Sequence, residues 1–361
     1  LSIYHHEKLR HRFIRVAIGA SLSLSSCISS HPSQIDPPLP SPVAIELRAA
    51  PDVLNMLIDD ESQPLTSAAH IVSSQTYQVI EHIEIANLGP GQTHKHNLWL
   101  ALIQSHAPYQ RVMDIQYGGP GYQIVRDEYD NLYLQFDFDD IPLDSRVVIE
   151  LAYQIEVSRL QVDLGECVGA TPDFFTSPEF LIESANPEII ALSTSIALGS
   201  STPCEQARAY YDFVGESLSY TANNGDWGAI AALGPSGSDC TEYASLFIAL
   251  CRAGGIPARY LEGLNYRGIH SDVEAQLEHA WAEIFLPGIG WMPVDPTLGR
   301  LTATRERYFA SFPADHIIVT VGRHPSTLRG KSYFAHLYWG VDQTTIQVQN
   351  FSWTVEAFTD N

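Results

Sequence analysis

The run Ser238-Asp239-Cys240-Thr241-Glu242 places a thiol between two acidic residues. An Asp followed three residues later by Glu, ahead of an apolar stretch, has the pattern of a capping box. It predicts a helix from Cys240 to about Ala253, stopped by Gly254-Gly255. Cys240 then occupies the first helical position. A thiol there faces unpaired backbone N–H groups and the positive end of the helix dipole. Both favour the thiolate, which is the nucleophilic form. Gly237 and Ser238 are small enough to let a substrate backbone approach. The commonest fate of a cysteine is burial as a small apolar residue. Cys251 fits that fate, mid-helix among Leu246, Phe247 and Leu250, whereas Cys240 does not.

A thiolate catalyst needs a base that later returns the proton to the leaving group. In Glu278-His279-Ala280-Trp281-Ala282-Glu283-Ile284-Phe285 the alternation is that of a strand, with His279, Trp281, Glu283 and Phe285 on one face. Taken alone, a strand histidine is usually a packed, hydrogen-bonded one. The turn Pro287-Gly288-Ile289-Gly290 and the run Trp291-Met292-Pro293-Val294-Asp295 change that reading, because a hairpin would bring Asp295 beside His279. Pairing Leu286 with Trp291 would put Asp295 opposite Ala282, on the wrong face. A shift by one puts it opposite Trp281, on the face of His279. A carboxylate that fixes the imidazole tautomer requires the second register.

Four blocks then stand in order: Ser238-Asp239-Cys240-Thr241-Glu242-Tyr243-Ala244, Arg252-Ala253-Gly254-Gly255-Ile256-Pro257-Ala258-Arg259, His279-Ala280-Trp281-Ala282-Glu283 and Gly290-Trp291-Met292-Pro293-Val294-Asp295-Pro296-Thr297. In sequence and spacing they resemble the bacterial transglutaminase-like superfamily, over about residues 200–300. The resemblance implies a papain-like α+β transglutaminase core with Cys240 as nucleophile, His279 as base and Asp295 as the group that orients it. It also implies that a strand-rich region before the core is a β-sandwich. The stretch Gly322-Arg323…Arg329-Gly330 resembles a weaker motif of the family, which often has Asp where this chain has His324. One oxyanion donor would be the Cys240 N–H. Tyr220 and Trp227 are the candidates for the second.

Other elements must position these residues. Tyr77, Val79 and Ile83-Glu84-Ile85 alternate as strands do, and strand-like runs continue at 97–103, 111–117, 122–125, 132–138 and 146–157. Turn signals separate them, among them Gly118-Gly119-Pro120-Gly121, which lacks the helix and lysine of a phosphate loop. An antiparallel β-sandwich is predicted over 65–165, a catalytic core over 166–320 and a strand extension over 321–361. Thr202-Pro203-Cys204-Glu205 starts a helix with Ala207, Tyr210, Tyr211, Val214 and Leu218 on one face. Arg259 is expected to pack or pair within the core. His94-Lys95-His96 reads as a solvated turn, and no metal ligand set or cofactor site is indicated.

The N-terminus reads as a targeting segment. Lys8, Arg10, Arg12 and Arg15 precede a short apolar stretch, Phe13 to Leu24, too short to span a bilayer. Leu24-Ser25-Ser26-Cys27 resembles a bacterial lipobox, which implies a signal peptide over 1–26 and lipidation of Cys27. Residues 27–64 would be a tether with one short helix near Asp52–Asp60. Ile28 follows the cysteine where many lipoproteins of the inner membrane carry Asp, so the resemblance points to the outer membrane. Export allows disulfides. Cys167 and Cys204 both precede the four blocks, and their pairing would close a loop of about 37 residues.

The 361 residues carry a formal charge of −22, and hydrophobic residues make up 45% of them. That acidity argues against a nucleic-acid partner, which needs a basic face. The expectation is a thiol enzyme of the cell envelope, anchored by its lipid and acting on peptide or protein amides. Hydrolysis is favoured over transfer because water is abundant outside the cytoplasm. The competing expectation is a catalytically silent envelope binding or scaffold module.

Overall fold

The computed structural model describes residues 45–58, 66–223, 225–266, 278–340 and 344–358. The expected signal peptide, Cys27 and most of the tether lie outside them. All the described residues belong to one compact unit, Val43–Asn361.

That unit begins with β1 (Arg48–Ala49) and α1 (Pro51–Leu57). These residues fall in the expected tether, but they are packed. Val53 and Leu57 are buried in the core of a β-sandwich, because an apolar pair four residues apart lies on one helix face. Then come β2 (Ala69–Asn87), β3 (Thr93–Ala101), β4 (Gln110–Gly118), β5 (Gln123–Arg126), β6 (Leu132–Phe138) and β7 (Arg146–Val162). Along β2 the buried row is Tyr77, Val79, Glu81, Ile83 and Ile85, so the two-residue period holds with a carboxylate inside it. The expected solvated turn at His94-Lys95-His96 is instead the start of β3, and His96 is fully buried. The strand alternation that buries Leu98 and Leu100 carries His96 to the same face.

A helical region follows: α2 (Pro187–Ile196), α3 (Pro203–Ser217), α4 (Ala229–Ala232) and α5 (Cys240–Ala253). The Thr202 side chain caps α3 by accepting from the Glu205 N–H. In α5 every residue from Glu242 to Arg252 is buried, which makes it the central helix of the core. Against it lie β8 (Ala258–Asn265), β9 (Glu278–Leu286) and β10 (Gly290–Val294), followed by β11 (Ser311–Phe312) and β12 (His316–Val321). Cys167 and Cys204 form a disulfide with Cα atoms 6.2 Å apart, the pair expected from the sequence.

The last strands, β13 (Phe334–Gly340) and β14 (Ile346–Ala357), return to the sandwich. One sheet runs β1-β4-β7-β2-β14, with β11 on the far end of β7; the facing sheet runs β13-β3-β6-β5. The region from α2 to β12 is thus inserted between sandwich strands, and β13 and β14 cover edges that β3 and β2 would otherwise expose. The core sheet runs β10-β9-β8-β12, all antiparallel.

A buried polar cluster joins sandwich and core. Glu283 on β9 accepts from Arg259 Nε at 2.6 Å, lies 3.2 Å from His106 Nε2 and takes the Tyr109 hydroxyl. Burial alone would raise the Glu283 pKa, but Arg259 and His106 outweigh it and hold it at about 2. The Arg259 guanidinium also lies over the Trp291 ring, 4.1 Å from its centre. Arg259 therefore pairs within the core as expected. This cluster anchors the strand that presents His279.

Candidate active site

The hairpin adopts the shifted register. Gly290 pairs with Leu286, Trp291 with Phe285 and Val294 with Ala282. The next residue, Asp295, falls beside Trp281, on the His279 face. The three-residue turn needs positive φ, which Gly288 (76°) and Gly290 (91°) supply.

His279 Nε2 donates to Asp295 Oδ2 at 2.8 Å, and both side chains are buried. The second carboxylate oxygen, Oδ1, accepts the backbone N–H groups of Thr297 and Leu298 at 2.8 and 2.9 Å. With three contacts fixed by backbone and imidazole, the carboxylate has one orientation. Burial opposes its charge, but His279 and His316 outweigh that and hold its pKa well below the usual range. Burial likewise opposes a charge on His279; Asp295 and a hydrogen bond with Cys240 prevail and raise its pKa to about 9.

Cys240 is the first residue of α5, and both halves of the capping box are formed around Asp239 and Glu242. At that position its N–H has no acceptor within the helix. The thiol is half-buried and free of any disulfide. Since Asp295 takes Nε2 of His279, the other ring nitrogen is left for the thiol. Cys251 is fully buried, and burial pushes its pKa well up.

Cys240 and His279 share a cavity of about 450 Å³ whose walls include Tyr220, Asp239, Glu262, Glu278 and Tyr333. Of the two candidate oxyanion donors, Tyr220 lines this cavity. Trp227 is exposed and does not. Gly237 does not leave room for a substrate: a Cβ there would meet the Ala222 carbonyl oxygen at 2.4 Å, and φ is +90°. The glycine is needed so that the segment before α5 can lie against 221–222, where the Thr221 N–H donates to the Ser238 carbonyl. His324 packs its ring against Phe180 and takes no part in the cavity wall, whereas its neighbour Arg323 donates to Ser245 of α5 at 3.3 Å.

One residue of the site was not singled out from sequence. His316, the first residue of β12, donates from Nε2 to Asp295 Oδ2 at 3.2 Å. A histidine 21 residues beyond Asp295, without a motif around it, gives no signal until the sheet is formed. Among the described residues, His279, Asp295 and His316 are the group whose ligand atoms could hold a metal, lying within 4.8 Å of one another. Both imidazoles instead direct Nε2 at one carboxylate oxygen, which is the geometry of a hydrogen-bond chain.

Residues 190–296 match the transglutaminase-like superfamily. An uncharacterized protein of Haemophilus influenzae is 24% identical over 272 residues, 63% of this chain and 69% of that protein. A protein-glutamine gamma-glutamyltransferase of Pseudomonas aeruginosa is 41% identical over 63 residues, which are 16% of this chain and 9% of that one. A crystal structure from Cytophaga hutchinsonii, described as a candidate cysteine protease, covers 81% of this chain and 94% of its own at a TM-score of 0.59 and 15% identity. That likeness extends the shared fold well beyond the matched core. Residues 190–296 thus carry the transglutaminase-like match, within an α+β core joined to a β-sandwich.

Proposed function

We propose that this protein is a cysteine hydrolase or acyltransferase acting on peptide or protein amides, with Cys240 as nucleophile, His279 as acid–base and Asp295 as the residue that orients it. The observation that carries the reading is a helix-terminal thiol and an imidazole on one cavity, with a buried carboxylate behind the imidazole and hydrogen-bonded to it. A silent scaffold has no need of that arrangement.

The Cys240 sulfur attacks the amide carbon while His279 carries the proton. The carbonyl oxygen becomes an oxyanion facing the Cys240 N–H. His279 gives its proton to the leaving amine, and an acyl-enzyme remains on sulfur. Water, or a second amine, then attacks with His279 as base and frees the thiol. Hydrolysis is the favoured outcome, since water needs no binding site of its own.

The test is selective alkylation. In the full chain, iodoacetamide should modify Cys240 well below pH 8 and leave Cys251 untouched, and Cys240→Ala should abolish both labelling and turnover on mixed peptides. Slow, equal labelling of both thiols would end the assignment.

The cell envelope is the proposed location, with a lipid on Cys27 as the anchor. The Cys167–Cys204 disulfide supports an oxidising compartment. No helix among the described residues is long and apolar enough to cross a membrane. Replacing Cys27 with Ser should move the protein from the membrane to the soluble fraction. A soluble wild type with no lipid mass on its N-terminal peptide would refute the anchor.

A further inference from the structure

His316 lies in a closed setting. Its side chain is 1% exposed, with the Phe312 ring centre at 4.6 Å and that of Trp281 at 4.9 Å. Nδ1 donates to Asp315 Oδ1 at 2.6 Å and Nε2 to Asp295 Oδ2 at 3.2 Å. An imidazole that donates from both nitrogens is an imidazolium. Asp295 Oδ2 is therefore shared between two rings, with His279 at 2.8 Å and the ring centres 5.7 Å apart.

We propose that His316 is a positioning residue, a fixed cation clamped between Asp315 and Asp295 that takes part of the Asp295 charge and so keeps His279 able to release its proton. The inference rests on the reading of Cys240, His279 and Asp295 as acid–base machinery. A lone buried carboxylate would hold the His279 proton too tightly for transfer to a leaving group. A second imidazolium on the same oxygen repels that proton. Two charges 5.7 Å apart, at an effective dielectric of about 20, interact strongly enough to move a titration by one to two pH units.

The other groups nearest His316 are uncharged. Tyr308 presents its ring at 6.0 Å, and the Asn265 amide nitrogen, which is no acceptor, lies 3.3 Å from each ring nitrogen. Arg307 pairs with Asp315 at 3.2 Å on the solvent side. Tyr77 stands near Asp315, and burial first, then Asp315, raises its pKa. The carboxylates are thus the only ionised groups in direct contact with His316 among the described residues. Burial opposes the His316 charge, yet Asp315 and Asp295 outweigh it and raise its pKa to about 9.

Two readouts test the proposal in the full chain. Ring nitrogen NMR should show His316 doubly protonated from about pH 5 to 8, with the signal assigned by its loss in His316→Gln. In Asp315→Asn the same ring should lose its proton at a lower pH. The pH profile of Cys240 alkylation by iodoacetamide supplies the second readout. In His316→Gln its upper limb should move up by about one pH unit or more, and His316→Lys should bring it back toward wild type. A structural role alone would lower the amplitude and leave the limb in place. A ring that titrates near the ordinary histidine value, or a limb unmoved in His316→Gln, would overturn the proposal. Should His316→Gln fail to fold, Asp315→Asn decides through the NMR signal. Unselective alkylation in wild type would instead refute the nucleophile, while the ring signal would still report on His316.

Discussion

Replacing Asp295 with Asn removes one charge and little volume, so it isolates what the carboxylate contributes. In wild type His279 is raised from 6.5 to about 9 although burial pulls it down. At about 1.4 kcal/mol per tenfold change, that rise corresponds to roughly 3 kcal/mol of preference for the imidazolium. Asp295 is the larger of its two supporters, ahead of Cys240. Without it, the imidazolium that would pair with the thiolate becomes scarce near neutrality. Alkylation of Cys240 at about pH 6 should then fall by roughly a hundredfold. In strong base a cysteine needs no imidazolium beside it, so the two rates should converge to within a few-fold. Turnover should drop chiefly in kcat, because the lost interaction matters most as the imidazolium forms. The Asn side-chain oxygen can still accept from Thr297 and Leu298, which in wild type hold Oδ1 at 2.8 and 2.9 Å, so the loop should keep its shape. Thermal unfolding checks that the variant is folded. An Asn variant with wild-type alkylation at pH 6 would refute the whole electrostatic argument.

Two further outcomes concern stability. Glu81 is fully buried in the sandwich with Oε1 unpartnered, and burial raises its pKa well above 4.5. Its folded form therefore resists ionisation, and stability is lost as pH rises above the unfolded value; Glu81→Gln should gain about 1–2 kcal/mol at pH 8, less towards pH 4.5, in denaturant melts. A variant no more stable than wild type at pH 8 would contradict that. The Cys167–Cys204 disulfide spans 37 residues, and a Cys167→Ser/Cys204→Ser double variant should lose about 3–4 kcal/mol by the chain-entropy argument, read from the same melts. No loss would mean that the 3₁₀ turn at Leu164–Glu166 and the start of α3 are held by packing alone.

The site was legible in the sequence wherever its signal was local. The capping box at Asp239 and Glu242 is written within four residues and forms as read. The Thr202 cap and the buried face Ala207, Tyr210, Tyr211 and Val214 follow from helical period. The hairpin register could be chosen because a two-residue period leaves only two answers, and only one puts Asp295 beside His279. By contrast α2, capped by Asn186, lacks a strong apolar stripe, and the sequence does not mark it as a helix. Its burial comes from packing against α5 and α3 rather than from its own pattern.

What tertiary structure alone decided are the contacts between distant segments. Sequence marks β13 and β14 as strands but cannot say that they close the sandwich edges left by β3 and β2, more than two hundred residues earlier. His96 reads as a polar residue in a charged tripeptide, and only the register of β3 turns it inward. Gly237 looks like space for a ligand until the chain's own Ala222 carbonyl is found there. Glu283 is legible as a strand residue, yet Arg259, His106 and Tyr109 reach it from β8 and from the sandwich. His316 meets Asp295 only because β12 pairs with β8 and brings its first residue under β9. Local periodicity fixes which side of an element a residue occupies. Which other residue stands there is settled by long-range pairing, and single-sequence patterns do not encode that partner.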